Sequence, residues 1–144
     1  MNLKYGGVFQ GGTYTGNVVS TAAADAVLEM IQNGEVFPKI EKHGNMLREG
    51  IQAICDRLGV PVSINGTAGM FGICFSEQTP KDWRELKTIP DWSISEKTYD
   101  YMIDHGVMPE KGGVEPFFVC AAHTDEDAEE TLGRFEEGLK LAIS

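Results

Sequence analysis

The sequence predicts an α+β domain in which helices pack on one face of a small, mostly antiparallel sheet. Four segments place apolar residues at helical spacing, and short apolar runs of β type separate the later helices. Two helices come first, followed by two strands, a helix, two strands and a last helix. This order is typical of an α+β layer rather than of a strict βαβ alternation. A chain of 144 residues is long enough to bury one such core.

The first helix is predicted over Val18–Ile31, where apolar residues recur every three or four positions and Asn33-Gly34 provides a stop. The apolar stripe is rich in alanine, so another backbone can approach it closely. It consists of Val18, Val19, Ala22, Ala23, Ala26, Val27 and Met30.

The second helix is predicted over Val36–Leu58. Pro38 is compatible with its first turn, and Gly59 follows its last turn. The residues predicted to line its buried side are Ile40, Leu47, Ile51, Ile54 and Leu58.

Two strands are predicted next, over Val60–Ile64 and Met70–Phe75, with Asn65-Gly66 as the turn between them. The second run is apolar on both faces, which predicts a central position in the sheet. Residues 76–92 carry two prolines, many charges and both tryptophans, which predicts a long excursion without a regular element.

A further helix is predicted over Ser95–His105 and is closed by Gly106, after which Val107-Met108 begins another strand. A glycine-rich connector over Glu110–Glu115 leads to a last β-type run over Phe117–Ala122. These runs complete the predicted sheet.

The C-terminal helix is predicted to begin after Thr124 and to continue through Leu141. Thr124 and Asp127, three residues later, nearly match a capping box. Acidic residues crowd its first turns, which is favourable at the positive end of a helix dipole. We interpret them as a solvated helix face.

The loop over Gly11–Asn17, with the sequence Gly-Gly-Thr-Tyr-Thr-Gly-Asn, is the most suggestive segment of the chain. Its glycines let a ligand approach the backbone, its threonines offer hydroxyl groups, and a helix follows with its N–H groups facing the loop. These features suit a phosphate or another small anion. The spacing matches neither a P-loop nor a dinucleotide fingerprint, so an ordinary turn is the alternative.

The composition of the chain excludes some classes of binding partner. The net charge of −10 argues against nucleic acid and anionic membrane surfaces. Cys55, Cys74 and Cys120 show no metal-ligand spacing and are predicted to be buried small hydrophobic residues in a reducing cytoplasm. No apolar run approaches the length of a membrane span.

The titratable residues do not assemble a catalytic group, so we assign no catalytic residue and no metal site. His43 is predicted on the surface of its helix, His105 at a helix C-terminus, and His123 as a residue that orients the turn before the last helix. Glu115, in the glycine-rich connector, is the acidic residue best placed to reach a ligand; a solvated loop carboxylate is the alternative.

Three separated motifs resemble the class III pyridoxal-phosphate (PLP) aminotransferases. The run from Phe9 to Asn17, followed by an alanine-rich helix, resembles the late phosphate-loop segment of that family. Gly69-Met70-Phe71-Gly72 in a strand and Ala122-His123-Thr124-Asp125-Glu126-Asp127 at the last helix narrow the resemblance to the glutamate-1-semialdehyde 2,1-aminomutases. The resemblance covers nearly the whole chain, but only the last third of such an enzyme.

The resemblance implies a fold type I enzyme whose C-terminal small domain lies beside the active site. It implies that Thr13, with Gly12 beside it, contacts the PLP phosphate of a neighbouring subunit. It also implies that Glu115, by its spacing to Ala122, lies near the substrate. The family reaction moves an amino group within a five-carbon semialdehyde to give 5-aminolevulinate for tetrapyrrole synthesis. An aminotransferase or racemase of the superfamily is the alternative, because Val18 and the connector depart from the usual pattern.

The lysine that carries the coenzyme lies upstream in that family, so we expect this chain alone to be inactive. We expect residues 1–33 to belong to the edge of a large domain and residues 34–144 to form the small domain. Without the large domain, the stripe on Val18–Ile31 needs cover, which predicts a homo-oligomer with two-fold symmetry. The second hypothesis is a free-standing anion-binding or oligomerisation module that has lost the chemistry.

Overall fold

A computed structural model describes residues 11–110 and 114–144 of the chain. The chain divides into two compact units, Met1–Glu35 and Val36–Ser144, which are described separately. No helix among the described residues is both long enough and apolar enough to span a bilayer.

The described part of the first unit is the loop from Gly11 followed by helix α1, Val18–Gln32. The Asn17 side chain caps the helix by accepting hydrogen bonds from the N–H groups of Val19 and Ser20, both at 3.1 Å. None of the α1 residues is buried. The predicted helix is confirmed, and none of the residues of its apolar stripe is buried.

The second unit combines long helices with a small sheet. Its elements are α2 (Phe37–Leu58), β1 (Ser63–Thr67), β2 (Met70–Cys74), α3 (Trp83–Leu86), α4 (Trp92–Asp104), β3 (Phe117–Phe118) and α5 (Asp125–Ala142). The three strands are antiparallel in the order β1-β2-β3, so β2 is central as predicted. The predicted α+β class, with a small antiparallel sheet and packed helices, is confirmed.

The core lies between the sheet and the long helices α2, α4 and α5. Phe71 and Ile73 lie two residues apart in β2, and both are buried. The Phe71 ring stacks on Phe117 of β3 with ring centres 5.5 Å apart, and Tyr99 of α4 meets the edge of Phe117 at 5.6 Å. Helix residues complete this cluster: Leu47, Ile51, Ile54, Cys55, Met102, Ala128, Phe135 and Leu139.

The capping box at α5 is confirmed. The Thr124 hydroxyl accepts from the Asp127 N–H at 3.2 Å, and the Asp127 carboxylate accepts from the Thr124 N–H at 2.8 Å. These bonds to Thr124, the backbone bond first, hold the pKa of Asp127 below its ordinary value. The helix therefore begins directly after Thr124, as the capping pattern in the sequence predicts.

The turn between the first two strands differs from the prediction. Thr67 pairs with Met70, so Ala68-Gly69 forms the turn, and Asn65-Gly66 lies inside β1. Gly66 has a φ of +117°, and a Cβ there would lie 2.3 Å from the Met70 carbonyl oxygen. Glycine at position 66 therefore allows the two strands to approach closely within the ladder. β1 begins at Ser63, three residues after its predicted start.

The strands of the C-terminal half are shorter than predicted. Val107-Met108 forms no strand, because the Val107 N–H donates to the Met102 carbonyl at 2.9 Å and closes α4, while Met108 is 90% exposed. β3 ends at Phe118, since Cys120 and His123 form a turn. The segment over residues 76–92, predicted to lack regular elements, contains the short helix α3, and Trp92 already begins α4, three residues before the predicted start.

Cys55 and Cys74 are buried as predicted, but Cys120 is exposed. The error has a local cause, because Cys120 lies in the turn before α5 rather than in a continuing strand. Burial raises the pKa of Cys55 to about 12 and also raises that of Cys74. Both thiols are therefore packing residues rather than nucleophiles.

Candidate anion-binding loop and ligand cavity

The glycine–threonine loop is built from two successive turns. The Thr15 N–H donates to the Gly12 carbonyl at 3.1 Å, and the Asn17 N–H donates to the Tyr14 carbonyl at 3.0 Å. Gly16 has a φ of +78°, a conformation that favours glycine. Residues 9 and 10 of the recognised motif lie outside the described residues.

The two candidate phosphate-contact residues offer hydrogen-bond donors that are not engaged elsewhere in the described part of the chain. The N–H groups of Gly12 and Thr13 donate to no described residue, and the Thr13 hydroxyl has no partner among them. Both residues are exposed. A Cβ at Gly12 would lie 3.0 Å from the Thr15 hydroxyl oxygen, so a side chain there would crowd the loop. This donor set fits a phosphate group.

The helix that follows contributes less than expected. The sequence predicts unpaired N–H groups at the start of α1, but the Asn17 carboxamide already accepts from Val19 and Ser20. That part of the prediction is wrong, because an asparagine at the N-cap satisfies the first turn internally. Within the described residues, the donors left for an anion are therefore those of the loop and the N–H of Val18.

In the second unit, Glu115 lines a cavity of about 450 Å³. Helix α2 contributes His43 and Leu47 to the wall, and α5 contributes its first turns. The remaining wall comes from His123 and from the segments on either side of residues 111–113. These segments supply Val107, Met108, Pro109, Glu110, Pro116, Phe117, Phe118 and Val119.

His43 is a wall residue of this cavity, and its predicted surface position is wrong. It is only 6% exposed, and its Nε2 lies 3.0 Å from Oδ1 of Asp125. Lys42 donates to the same carboxylate at 2.7 Å. Lys42 first, and then His43, holds the pKa of Asp125 below its ordinary value. The sequence did contain the signal, because His43 lies one helical turn before the buried Leu47.

The second ring nitrogen of His43 has no hydrogen-bond partner among the described residues. This nitrogen, Nδ1, is also buried. With Nε2–H donating to the Asp125 carboxylate, a neutral imidazole has an acceptor at Nδ1. A residue of the cavity wall therefore carries a buried polar atom that has no partner among the described residues.

His123 has the orienting role that the sequence predicts. Its Nδ1 accepts from the Cys120 N–H at 3.0 Å, which fixes the turn before α5. In the neutral ring the proton is consequently on Nε2. His105 likewise lies at a helix end, with Nδ1 2.7 Å from the Tyr101 carbonyl oxygen.

Glu115 itself is exposed, and its N–H donates weakly to the Glu110 carboxylate at 3.4 Å. Its own carboxylate forms no ion pair with any described residue. The arrangement can therefore accept hydrogen bonds from a ligand. Among the described residues, no triad surrounds it and no metal-binding group occurs.

Comparison with known proteins agrees with this architecture. The family model described as "Aminotransferase class-III" matches residues 1–139. The glutamate-1-semialdehyde 2,1-aminomutase of Desulfitobacterium hafniense is 32% identical over 135 residues, 94% of this chain and 31% of that protein. The enzyme of the same name from Persephonella marina is 28% identical over 138 residues, 96% of this chain and 32% of that protein. The chain thus spans about a third of the length of these curated relatives.

Solved structures share the fold. A glutamate-1-semialdehyde aminomutase from Pseudomonas aeruginosa matches with a TM-score of 0.79 at 19% identity, over 95% of this chain and 31% of that chain. An omega-transaminase from Sphaerobacter thermophilus matches with a TM-score of 0.80 at 18% identity, over 95% of this chain and 31% of that chain. Among the neighbours is also a structure titled "Transaminase with PLP bound". The chain belongs to the class III aminotransferase family.

Proposed function

We propose that this chain contributes the phosphate-contact loop and the small domain of a PLP-dependent enzyme of the glutamate-1-semialdehyde 2,1-aminomutase type. The observation that carries the proposal is the similarity to these aminomutases over 94–96% of the chain. The catalytic lysine of such an enzyme is supplied by a segment outside this sequence. The 144-residue chain alone is then inactive.

Gly12 and Thr13 hold the coenzyme phosphate in this proposal. The N–H groups of Gly12 and Thr13 and the Thr13 hydroxyl, which have no partner among the described residues, would donate to the phosphate dianion. When bound, PLP supplies an electron sink and carries an amino group. The contribution of this chain is to bind and orient the coenzyme, not to perform the proton transfers.

Glu115 belongs to the substrate side. Glu115 lines the cavity, and a carboxylate there would accept hydrogen bonds from a bound molecule. We propose no catalytic role for it, since no nucleophile pairs with a base around it in the described part of the chain. An aminotransferase or racemase reaction remains the alternative assignment for the whole enzyme.

The stripe on α1 is proposed as an association surface. Val18, Val19 and Val27 are 81%, 77% and 52% exposed, which is unusual for contiguous apolar residues on one helix. We propose that a large domain or a second copy of this chain covers them. We place the protein in the cytoplasm, where its three free cysteines stay reduced.

A chimeric enzyme tests the proposal directly. The last third of the Desulfitobacterium hafniense aminomutase is replaced by this chain, and PLP affinity and 5-aminolevulinate formation are measured. Thr13→Val is expected to weaken PLP binding roughly tenfold, as the loss of one charge-assisted hydrogen bond predicts. Thr13→Ser, which keeps the hydroxyl, is the matched control. A folded chimera in which both variants bind PLP as tightly as their parent would contradict the phosphate assignment.

The alternative function is a free-standing anion-binding module. Titration of the 144-residue chain with PLP separates the two hypotheses. Saturable micromolar binding that Thr13→Val abolishes supports the module. The aminomutase proposal expects no such binding and no PLP fixed to a lysine after borohydride treatment, because the rest of the coenzyme site lies elsewhere.

A further inference from the structure

We propose that Asn33-Gly34, at the C-terminal end of α1, is a site of spontaneous deamidation, whereas the same dipeptide at Asn65-Gly66 is protected. The chain contains the Asn-Gly pair at these two positions only. A glycine after the asparagine favours the reaction, because it has no side chain that would hinder the approach of its nitrogen. The reaction requires neither the coenzyme nor the residues of the phosphate loop, and so lies outside the proposed function.

The reaction is an attack by a backbone nitrogen on the neighbouring carboxamide. The Gly34 nitrogen loses its proton to hydroxide and bonds to Cγ of Asn33, and the side-chain nitrogen leaves as ammonia after taking a proton from water. A water molecule then opens the cyclic succinimide at either carbonyl and gives aspartate or isoaspartate. The net change is the hydrolysis of one amide by one water, so no oxidant or reductant is needed.

The reacting groups at Asn33-Gly34 are accessible but are held in an unreactive geometry. Both residues are exposed, and the Asn33 side chain has no hydrogen-bond partner among the described residues. The Asn33 backbone is helical, with φ −73° and ψ −4°, and the Gly34 N–H donates to the Ile31 carbonyl at 3.0 Å. The backbone must rotate at Asn33 before the Gly34 nitrogen can reach Cγ. The rate therefore depends on how often the end of α1 opens.

Helix α1 has little to keep that end closed. It has 15 residues, about the length at which an isolated helix is marginal in water, and none of them is buried. Its last turn contains no basic residue that would be favoured at the negative end of the helix dipole. We therefore expect Asn33 to react nearly as fast as it would in an unfolded peptide.

Asn65-Gly66 has the same chemistry in a different environment. Asn65 pairs with Gly72 and Gly66 pairs with Phe71 in the antiparallel ladder, and the Phe71 side chain is fully buried. A Cβ at Gly66 would lie 2.3 Å from the Met70 carbonyl oxygen, so the two strands are in close contact there. Rotation of the Asn65 backbone requires β1 to separate from β2. Reaction at Asn65 is therefore limited to rare local openings of the second unit.

Conversion of Asn33 is expected to weaken α1 further. A carboxylate at position 33 adds negative charge where the helix dipole is already negative. Isoaspartate also inserts a methylene into the backbone, which displaces the Gly34 and Glu35 N–H groups from the carbonyls of Ile31 and Met30. The helical circular dichroism of the converted chain is expected to fall, while the urea midpoint of the second unit stays unchanged.

Peptide mapping by mass spectrometry during incubation at mildly alkaline pH tests this inference. The 144-residue chain is kept at low protein concentration, and each site is compared with a synthetic peptide of its own flanking sequence, residues 29–37 or 61–69. Asn33 is expected to convert within about threefold of the rate of its peptide. Asn65 is expected to convert at least about tenfold more slowly than its peptide, the ratio that a local opening free energy of about 1.4 kcal/mol produces.

Two controls separate the effect of structure from that of sequence. In urea the Asn65 rate is expected to rise to that of its peptide, whereas the Asn33 rate hardly changes, because folding protects only Asn65. Asn33→Gln, whose longer side chain would have to close a larger ring, is expected to abolish conversion at position 33 without altering the Asn65 rate.

Two results would overturn the inference. One is protection of Asn33 by about tenfold or more relative to its peptide, which would show that the end of α1 stays closed. The other is conversion of Asn65 at the rate of its peptide without urea. Because PLP takes no part, neither result bears on Gly12 and Thr13, and failure of the phosphate assignment in the chimera would leave the two deamidation rates unchanged.

Discussion

The two units carry the same sequence pattern, apolar residues at helical spacing, but bury it to different extents. Helix α1 and helix α5 both carry apolar residues at helical spacing, yet none of the α1 residues is buried, whereas Phe135 and Leu139 of α5 are fully buried. The difference shows that periodicity predicts a helix with an apolar face but not what covers that face. In the second unit the sheet and neighbouring helices supply the cover.

The largest expected effect comes from the buried ring of α5. Phe135→Ala removes a side chain with 0% exposure and is expected to lower the free energy of unfolding by about 3–5 kcal/mol. Val27→Ala, at a residue of α1 that is 52% exposed, is expected to change it by no more than about 0.5 kcal/mol. Urea unfolding at low protein concentration measures both. Equal losses would break the comparison, because α1 would then be part of the core.

A second test asks how closely the second unit is packed. A Cβ at Gly44 of α2 would lie 1.9 Å from the Ala68 carbonyl oxygen, so Gly44→Ala is expected to cost about 1–3 kcal/mol through overpacking. The matched control is Gly133→Ala in α5, whose Cβ meets nothing within 4 Å. That variant is expected to gain up to about 1 kcal/mol from helix propensity. Stabilisation by Gly44→Ala in thermal unfolding would show that α2 sits farther from the Ala68-Gly69 turn.

The helix caps sharpen the comparison further. Thr124→Ala removes the capping box of α5 and is expected to cost about 1 kcal/mol of global stability. Asn17→Ala removes the side-chain cap of α1 and is expected to lower helical circular dichroism while leaving the cooperative urea midpoint in place. A shift of that midpoint in the Asn17 variant would mean that α1 unfolds together with the second unit.

The smallest effect is expected at an ion pair between α2 and α5. Arg57 holds Glu136 through two hydrogen bonds of 3.0 and 2.7 Å, and Lys140 also pairs with it. Arg57 first, and then Lys140, lowers the pKa of Glu136 from 4.5 to about 2. Because the folded pKa is the lower one, the stabilisation is present above pH 4.5 and is lost as the pH falls to about 2.

The measurement for this pair is urea unfolding at a series of pH values for the parent chain and Glu136→Gln. The stability difference between the two is expected to shrink steadily across that acidic window. A difference that stays constant as the pH falls would show that the carboxylate charge is not responsible for the effect.

Sequence reasoning succeeded where local chemistry decides the outcome. The Thr124–Asp127 cap, the glycine stop after α2 and the helix-end position of His105 all depend on neighbours in sequence. It failed where the pairing between two strands decides. Asn65-Gly66 reads as a turn, but the close approach of β2 at Gly66 placed the turn at Ala68-Gly69.

The candidate sites show the same division. Gly12, Thr13 and Glu115 were identified from motifs and spacing, and the structure describes Gly12 and Thr13 as exposed donors and Glu115 as a cavity residue. His43 was misplaced on the surface because its partner Asp125 is 82 residues away. The phosphate and substrate roles of these residues remain predictions.

The sequence by itself determined the α+β class, the long helices, the cap of α5 and the family, because each rests on residue periodicity, short-range hydrogen bonding or ordered motifs. Only the tertiary structure decided which apolar stripes are buried, where the hairpin turns and how His43, Glu110 and Glu115 come to line one cavity. The physical reason is that burial and cavity formation depend on contacts between segments far apart in the chain, which local patterns do not encode.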